Sequence, residues 1–552
     1  ADLAREMAAK ETRPGEKANL LRIAEACERC PAEPPRDFFE AVQCVRMYHL
    51  VCWKESSDRP EVPVGRLDQI LYPYYEADKK AGKITPQDAA ELLGALWLKI
   101  RECENLVTIP REQRAAPGSL LPNITLCGTD KDGNDLTNEV SWLVLEAMAQ
   151  VKLSEPAIYV RYNPGMDEQF ILHALRCNRD FGGGNPAFLN DKLGTQRYLD
   201  RGVPIEDACN WNASGCLGYH LDCMEHLGGG HNINQPKLFE LALNDGRSLL
   251  TGDQVGLPTG EPESFTGFDD LWNAYVMQVQ YLAGLNILAT IIAGEGQKRL
   301  GHCPLMSSLL DDCLTRRRDL VYGGTRYNLP GIAIYGPTNV YDGLLAIRTL
   351  VCAEGRLTWA ELHRALRDDY QGHEAIRQML SRAAPRFGND IVEVDDLANH
   401  VNAVHADFSW QHVDSRNGRY VCGVWPVESH IHAGYWTGAT PDGRHARAPL
   451  VDGVGACQGA DRNGPTALLR SVARLNSVEH WPAGNTCNVK FSRTSIGTPE
   501  AIARLSELSA TFMELGGQEL QINVVDAATL RAAQEEPDAY RDLIVRVAGF
   551  SA

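Results

Sequence analysis

The spacing of apolar residues along the chain predicts alternating helices and strands. Apolar positions recur every three or four residues, the helical period, in the segments 86–106, 268–300, 339–351, 358–379 and 499–515. Between them lie short apolar runs that fit strands, at 157–162, 331–335, 488–491, 520–525 and 543–547. Strands that alternate with helices favour an α/β layer or barrel. We therefore predict an α/β fold.

The net charge limits the partners that the chain could bind, and the cysteines indicate its cellular compartment. The 552 residues include 72 acidic and 54 basic side chains, a net charge of −18. Such a surface repels phosphate backbones, so no nucleic acid partner is expected. No run reaches 18 apolar residues; the nearest, 281–294, is followed by Glu295, so we predict a buried helix and no membrane span. Sixteen scattered cysteines suit a reducing cytoplasm.

Two glycine-rich segments carry candidate chemistry. In 212–220, Cys216 lies between Gly215 and Gly218, where the backbone can approach a ligand closely. At the carboxyl end, 542–552, an apolar run ends at Gly549. Taken separately, each segment also fits a purely structural loop.

A third polar segment, 427–435, contains His430 and His432. Their spacing of two predicts one face of an extended strand, where they would serve as acid–base groups or metal ligands. A third ligand is not evident, so no metal is predicted.

Together these segments resemble the glycyl radical enzymes of the pyruvate formate-lyase superfamily. The segment Arg546-Val-Ala-Gly-Phe-Ser-Ala552 resembles the glycyl radical signature, with Phe550 where the family usually has tyrosine. Further matching segments follow in the family's order: 65–69 with 72–75, 215–217, 439–444, 464–467 and 520–525. The resemblance covers nearly the whole chain.

The resemblance implies the fold and the two radical positions. The expected fold is a ten-stranded α/β barrel surrounded by helices, with residues 1–430 as the barrel domain and 431–552 as the glycyl radical domain. Gly549 would store a Cα radical and Cys216 would become a thiyl radical, with the two loops meeting inside the barrel. Both ends of the chain look like cuts through a longer protein.

The resemblance also implies how the radical is introduced. An activating enzyme that uses S-adenosylmethionine and an iron–sulfur cluster would remove a hydrogen atom from Gly549. The chain itself would bind no cofactor. We also expect a small organic substrate, a homodimeric assembly and a location in the cytoplasm of an organism that lives without oxygen.

The residues around Cys216 bear on the type of reaction. Pyruvate formate-lyases have two adjacent cysteines at the thiyl position, whereas this chain has Cys216-Leu217, which disfavours that activity. Dehydratases and related lyases have Gly-Cys-x-Glu, and Gly218 stands where their glutamate would be. Our favoured hypothesis is a dehydratase- or decarboxylase-type lyase, with acid–base and substrate-contact candidates His220, Glu225, His430, His432, Tyr335 and Asn339.

Two alternatives remain open. The chain could add a hydrocarbon radical to fumarate, as benzylsuccinate and alkylsuccinate synthases do, because that reaction needs no base beside the cysteine. Fumarate would require a cationic clamp, and no arginine follows Cys216 before Arg247. The second alternative is an inactive paralogue or scaffold.

Overall fold

The structure is a computed structural model of the chain. It describes residues 1–55, 62–103, 122–215, 218–226, 230–382, 384–425, 429–547 and 550–551. Cys216, Leu217, Ala548 and Gly549 lie outside the described residues.

Helices account for much of the described chain, and several begin at side chains that cap the helix. Thr85, Asn138 and Thr358 each form a capping box with the residue three positions on, which satisfies otherwise unpaired backbone N–H groups. The helices are α1 (Asp2–Lys10), α2 (Pro14–Arg29), α3 (Phe38–Glu55), α4 (Leu67–Lys80), α5 (Pro86–Arg101), α6 (Glu139–Val151), α7 (Glu168–Phe181), α8 (Asp191–Leu199), α9 (Ile205–Ala208), α10 (Gln235–Ala242), α11 (Phe268–Leu300), α12 (Pro304–Leu309), α13 (Cys313–Arg316), α14 (Pro337–Ile347), α15 (Trp359–Arg367), α16 (Glu374–Arg382), α17 (Val392–Trp410), α18 (Ser429–Tyr435), α19 (Gly464–Ala473), α20 (Ser477–His480), α21 (Pro499–Glu514) and α22 (Ala527–Glu535).

The strands are short and form two main sheets. They are β1 (Asn123–Cys127), β2 (Ala157–Tyr162), β3 (Ala187–Asn190), β4 (Trp211–Ser214), β5 (Gly218–Leu221), β6 (Glu225–His226), β7 (His231–Asn234), β8 (Tyr327–Asn328), β9 (Gly331–Tyr335), β10 (Val421–Gly423), β11 (Cys487–Phe491), β12 (Glu519–Val524), β13 (Arg546–Val547) and β14 (Phe550–Ser551). One sheet has the order β1-β2-β3-β12-β11 and the other β10-β9-β7. All neighbours in these two sheets are parallel except β3 and β12.

Isolated backbone bridges join the two sheets into one array. Val424 pairs with Asn485 and so links the end of β10 to the start of β11, while Gly65 pairs with Ile124 on the free side of β1. The antiparallel contact between β3 and β12 divides the array into two parallel halves. The amino-terminal ends of β1–β3 therefore lie at the same end as the carboxyl ends of β9–β12. The ten-stranded barrel itself stays a prediction.

Most of the array is buried on both faces, which explains its mixed sequence, although Lys490 in β11 is exposed. In β12, Leu520, Ile522 and Val524 belong to the main hydrophobic cluster that the helices share. The alternate positions Glu519, Gln521 and Asn523 are polar, yet all three are fully buried. Since successive side chains in a strand point to opposite faces, one face is apolar and the other is a buried polar interior.

Three expectations about individual elements need correction. The predicted helix 358–379 is two helices, because Asp369 and Tyr370 adopt positive φ angles of 48° and 61° that end α15. The predicted strand around His430 and His432 is the helix α18.

The third correction concerns α11, which we expected to be buried. In α11, 28% of the most apolar window is buried, and the helix is long and apolar enough to cross a membrane by length and composition alone. Its exposed apolar residues recur at helical spacing and form a stripe: Met277, Tyr281, Leu285, Leu288 and Ile292.

Candidate active site

The strands β4 and β5 form a hairpin around the predicted thiyl position. They are antiparallel, with Trp211 opposite Leu221 and Ser214 opposite Gly218. The connecting positions, Cys216 and Leu217, are outside the described residues. The hairpin lies on the polar face of β1, where Ala213 N donates to the Thr125 hydroxyl (3.0 Å).

A buried arginine holds the base of this hairpin. Arg161 in β2 is fully buried and donates from Nη1 to Trp211 O and from Nη2 to Cys209 O, both at 2.8 Å. Its Nε donates to Asp191 Oδ1 at 2.7 Å. Thr129 Oγ1 donates to the other carboxylate oxygen of Asp191 at 2.6 Å. Both carboxylate oxygens of Asp191 thus accept hydrogen bonds. The buried ion pair fixes two backbone carbonyls at the base of the hairpin.

Two further side chains hold the other end of the hairpin, next to position 216. Asn123, the first residue of β1, donates from Nδ2 to Gly215 O at 2.6 Å, and the Tyr159 hydroxyl donates to the same oxygen at 3.4 Å. Asn123 Oδ1 is buried and has no hydrogen-bond partner among the residues that the structure describes. A buried acceptor without a partner lowers the stability of the fold unless a ligand or a water molecule donates a hydrogen bond to it.

The carboxyl-terminal segment reaches the same end of the array. A Cβ at Gly183 would lie 2.8 Å from Ile544 O, so Ile544 packs directly on the backbone there. Gly183 also pairs with Asn523, near the end of β12. After Ile544, β13 and β14 are antiparallel, with Val547 opposite Phe550. Gly215 and Ile544 are therefore both at the amino-terminal end of β1–β3.

The interior between these segments is lined by uncharged polar groups. Both amide atoms of Gln521, on the polar face of β12, are buried and have no hydrogen-bond partner among the described residues. At the far end of β12, burial raises the pKa of Glu519 well above its usual range. These side chains suit a polar, compact ligand.

Among the predicted acid–base residues, His220 lies near position 218, whereas Glu225 lies at the opposite end of the hairpin from Gly215. A Cβ at Gly218 would be 3.7 Å from His220 Nε2. Glu225 is at the base of the hairpin, where its Oε2 accepts from Leu221 N and from the Tyr198 hydroxyl, both at 3.0 Å. Burial raises the pKa of Glu225 to about 7.

The helix α18, which contains His430 and His432, packs on Tyr335 at the end of β9. Tyr335 clusters with Ala433 of α18, while His430 in the same helix is 5% exposed. His432 is half-buried on another side of α18, because two residues along a helix turn by about 200°. The end of β9 is at the end of the array that Gly215 and Ile544 occupy.

Asn339 belongs to a different group of residues. Its Nδ2 donates to Asp442 Oδ2 at 2.7 Å and its Oδ1 accepts from Val451 N at 3.0 Å. These bonds tie the first turn of α14 to the loop 439–444. Asn339 stays a predicted substrate contact, although both ends of its amide are already engaged.

Several residues of the site were not predicted from the sequence. Asn123, Tyr159 and Asp191 have no distinguishing pattern in a single sequence. Arg161 could have been noticed in the sequence, because a charged residue within the apolar run 157–162 requires a partner when that run is buried.

Side chains of the types that bind metal ions come together elsewhere in the structure. Within the described ranges, one group of three such residues brings ligand atoms within 4.8 Å of one another: Glu261, Glu263 and His363. The two glutamates are exposed, and the group involves none of the hairpin residues. The prediction that the site holds no metal stays a prediction.

These features define an α/β enzyme in which a cysteine hairpin and a glycine segment approach the same end of one strand array. Family models match nearly the whole chain: pyruvate formate lyase-like at residues 1–434 and glycine radical at residues 450–552. The chain belongs to the glycyl radical enzymes of the pyruvate formate-lyase superfamily. The glycine radical family implies a radical on the protein that an activating enzyme generates.

Similar proteins are dehydratases and lyases. Trans-4-hydroxy-L-proline dehydratase of Clostridioides difficile is 32% identical over 559 residues, covering all of this chain and 70% of its own. Isethionate sulfite-lyase of Desulfovibrio desulfuricans is 34% identical over 565 residues, covering all of this chain and 67% of its own. The glycerol-bound B12-independent glycerol dehydratase of Clostridium butyricum has a TM-score of 0.95 at 32% identity, over all of this chain and 69% of its own. The predictions of an α/β fold and of a glycyl radical enzyme of the lyase type, not a pyruvate formate-lyase proper, are confirmed.

Proposed function

We propose that this chain cleaves a C–C or C–heteroatom bond of a small polar substrate, with the radical stored on Gly549 and relayed by Cys216. The observation that carries the proposal is the approach of Gly215 and Ile544 to one end of the array. The uncharged amide of Gln521 on the polar face of β12 supports a substrate rich in hydroxyl or similar groups. Residues 1–430 would form the barrel domain and 431–552 the glycyl radical domain, which would contribute β11 and β12 to the ten-stranded barrel.

The proposed sequence of steps balances hydrogen atoms. The Gly549 radical takes a hydrogen atom from the Cys216 thiol, and the thiyl sulfur takes one from a substrate carbon. The adjacent bond of the substrate then breaks. The product radical recovers a hydrogen atom from Cys216, and Gly549 returns its own to regenerate the stored radical.

His220 is the proposed acid–base group of this reaction. It follows Gly218 by two residues in β5, so both positions are on one face of the strand. The distance of 3.7 Å between His220 Nε2 and a Cβ at 218 puts the imidazole beside the place of the glutamate in Gly-Cys-x-Glu lyases. His220 would accept the proton of a substrate hydroxyl as the leaving group departs.

We expect His220→Gln to lower kcat by about 10²- to 10⁴-fold, the usual contribution of a general base, while the radical content after activation stays unchanged. A glutamate at position 218 should restore part of the rate, because no atom lies closer than 3.5 Å to a Cβ there. The comparison of His220→Gln with His220→Gln/Gly218→Glu by turnover and radical content tests the assignment. Equal rates for wild type and His220→Gln would remove His220 from the mechanism.

A substrate panel tests the lyase reaction itself. Activated protein is incubated without oxygen with glycerol, 1,2-propanediol, trans-4-hydroxy-L-proline and isethionate, which represent the substrates named for similar proteins. We expect elimination from at least one compound of this class, detected as a carbonyl, an unsaturated product or sulfite. A parallel reaction contains fumarate and toluene. Consumption of fumarate with no elimination would favour the synthase alternative instead.

The assembly is also part of the proposal. An activating enzyme with S-adenosylmethionine and an iron–sulfur cluster would introduce the radical in the cytoplasm. A homodimer is supported by the exposed apolar stripe of α11, from Met277 to Ile292, because such a stripe is a common contact between protein chains. The mass in solution, measured by light scattering, tests the dimer.

A further inference from the structure

A second cavity, separate from the cysteine hairpin, is unusually rich in arginine. It has a volume of about 310 Å³ and lies between the end of α16, the loop 442–444 and the loop 449–462. Five arginines line it: Arg377, Arg382, Arg386, Arg444 and Arg462. The chain as a whole carries a charge of −18, so this concentration of positive charge requires an explanation.

Two of the five arginines are neutralised by carboxylates. Arg377 makes a bidentate pair with Glu374, at 2.7 Å from Nε and 2.6 Å from Nη2. Arg386 Nε donates to Asp342 Oδ2 at 2.8 Å, and Asp342 is fully buried. These two guanidinium groups form the framework of the cavity.

The other three arginines have no carboxylate partner within the described chain. Arg444 donates to the carbonyl oxygens of Gly438 (2.6 Å) and Ala448 (2.7 Å) and to the Thr440 hydroxyl (3.2 Å). Burial lowers the pKa of Arg444, while the nearby carboxylates of Asp442 and Glu240 act in the opposite direction. Arg382 and Arg462 are exposed, and neither makes an ion pair with a described residue.

The acidic residues of the cavity leave this charge uncompensated. Asp442 is occupied by the Thr440 hydroxyl at 2.5 Å and by Asn339 Nδ2 at 2.7 Å. Asp452 is the other carboxylate in the lining. Two carboxylates, one of them already engaged, thus face three guanidinium groups that lack an acidic partner.

We propose that this cavity binds a small oxyanion such as phosphate, sulfate or a short dicarboxylate. Guanidinium groups bind the oxygens of such anions through paired N–H donors, more strongly than they bind neutral acceptors. A volume of about 310 Å³ is enough for a compact anion of this kind. The cavity shares no residue with the cysteine hairpin, and its lining includes Asn339, the predicted substrate contact whose amide is already engaged.

Calorimetric titration of the full chain with inorganic phosphate at low salt tests the site. We expect saturable binding that weakens by about tenfold or more in Arg382→Gln/Arg462→Gln, because charge-assisted hydrogen bonds are lost. Arg531→Gln, which removes an exposed arginine of α22 outside the cavity, is the matched control and should bind as wild type does. Sulfate and malonate, titrated in the same way, distinguish a phosphate site from a general oxyanion site.

Two results would overturn the proposal. Wild-type protein that binds none of the three anions has no such site. Binding that survives unchanged in Arg382→Gln/Arg462→Gln would assign the anion to another part of the surface. Because the titration needs no activated protein, failure of the radical reaction would not affect either result.

Discussion

Cys216→Ser abolishes turnover and leaves the glycyl radical in place. A thiol S–H bond is weak enough for a glycine Cα radical to take its hydrogen atom reversibly, whereas the O–H bond of serine is much stronger. The relay between Gly549 and the substrate is then broken, although the polar interior and Asn123 are unaltered. We expect a loss of activity on the order of 10⁴-fold or more, as for other residues that react directly with the substrate.

Electron paramagnetic resonance separates the two radical positions. After anaerobic activation, wild type and Cys216→Ser should both show a doublet from the single hydrogen on the radical carbon, while Gly549→Ala shows none. In D₂O the thiol becomes S–D, so hydrogen exchange through Cys216 should collapse the wild-type doublet to a singlet. The Cys216→Ser doublet should persist. A serine variant that turns over, or a doublet that survives in Gly549→Ala, contradicts the assignment.

The same spectra decide between an enzyme and an inactive paralogue. An inactive chain would give no doublet with an activating enzyme that is competent on a related protein. It would also survive exposure to air intact. An activated chain reacts with oxygen at the radical carbon and should be cut at Gly549, which mass spectrometry detects as the loss of the last few residues.

Strand and helix positions could be predicted where the period of the sequence agrees with burial. The strands at 157–162 and 331–335 have the predicted bounds, because both of their faces are buried. The helix at 268–300 also has the predicted bounds, although one of its sides is an exposed apolar stripe. The segment around His430 and His432 could not be predicted in this way. It forms the short helix α18, which packs against Tyr335. Over so few residues, the alternation of polar and apolar side chains fits a strand equally well.

The chemistry could be predicted only as far as it depends on particular residue types. A radical glycine and a thiyl cysteine must be glycine and cysteine, so Gly549 and Cys216 stood out from the sequence. Residues that act through position, such as Asn123 beside Gly215, are revealed by the register of β1 against the hairpin. Glu225 is a candidate base in the sequence although its spacing from Cys216 does not match the family's Cys-x-Glu, and its carboxylate accepts hydrogen bonds from Leu221 N and the Tyr198 hydroxyl.

Arg161→Met destabilises the protein by about 3–5 kcal/mol, the usual cost of removing one partner from a buried ion pair. The substitution leaves the carboxylate of Asp191 buried, with only the Thr129 hydroxyl still donating to it. It also frees the carbonyls of Cys209 and Trp211 at the base of the hairpin. Urea unfolding followed by tryptophan fluorescence gives the change in free energy.

A double-variant comparison shows whether the ion pair itself is responsible. Arg161→Met/Asp191→Asn should recover part of the loss, because the uncompensated charge is gone while the side-chain volume is nearly kept. Arg531→Met, at an exposed position, should change stability by less than about 0.5 kcal/mol. If Arg161→Met behaved like Arg531→Met, the hairpin would not depend on this pair. A loss of turnover that exceeds the loss of radical content would show that the pair also positions Cys216, since a purely structural defect would lower both together.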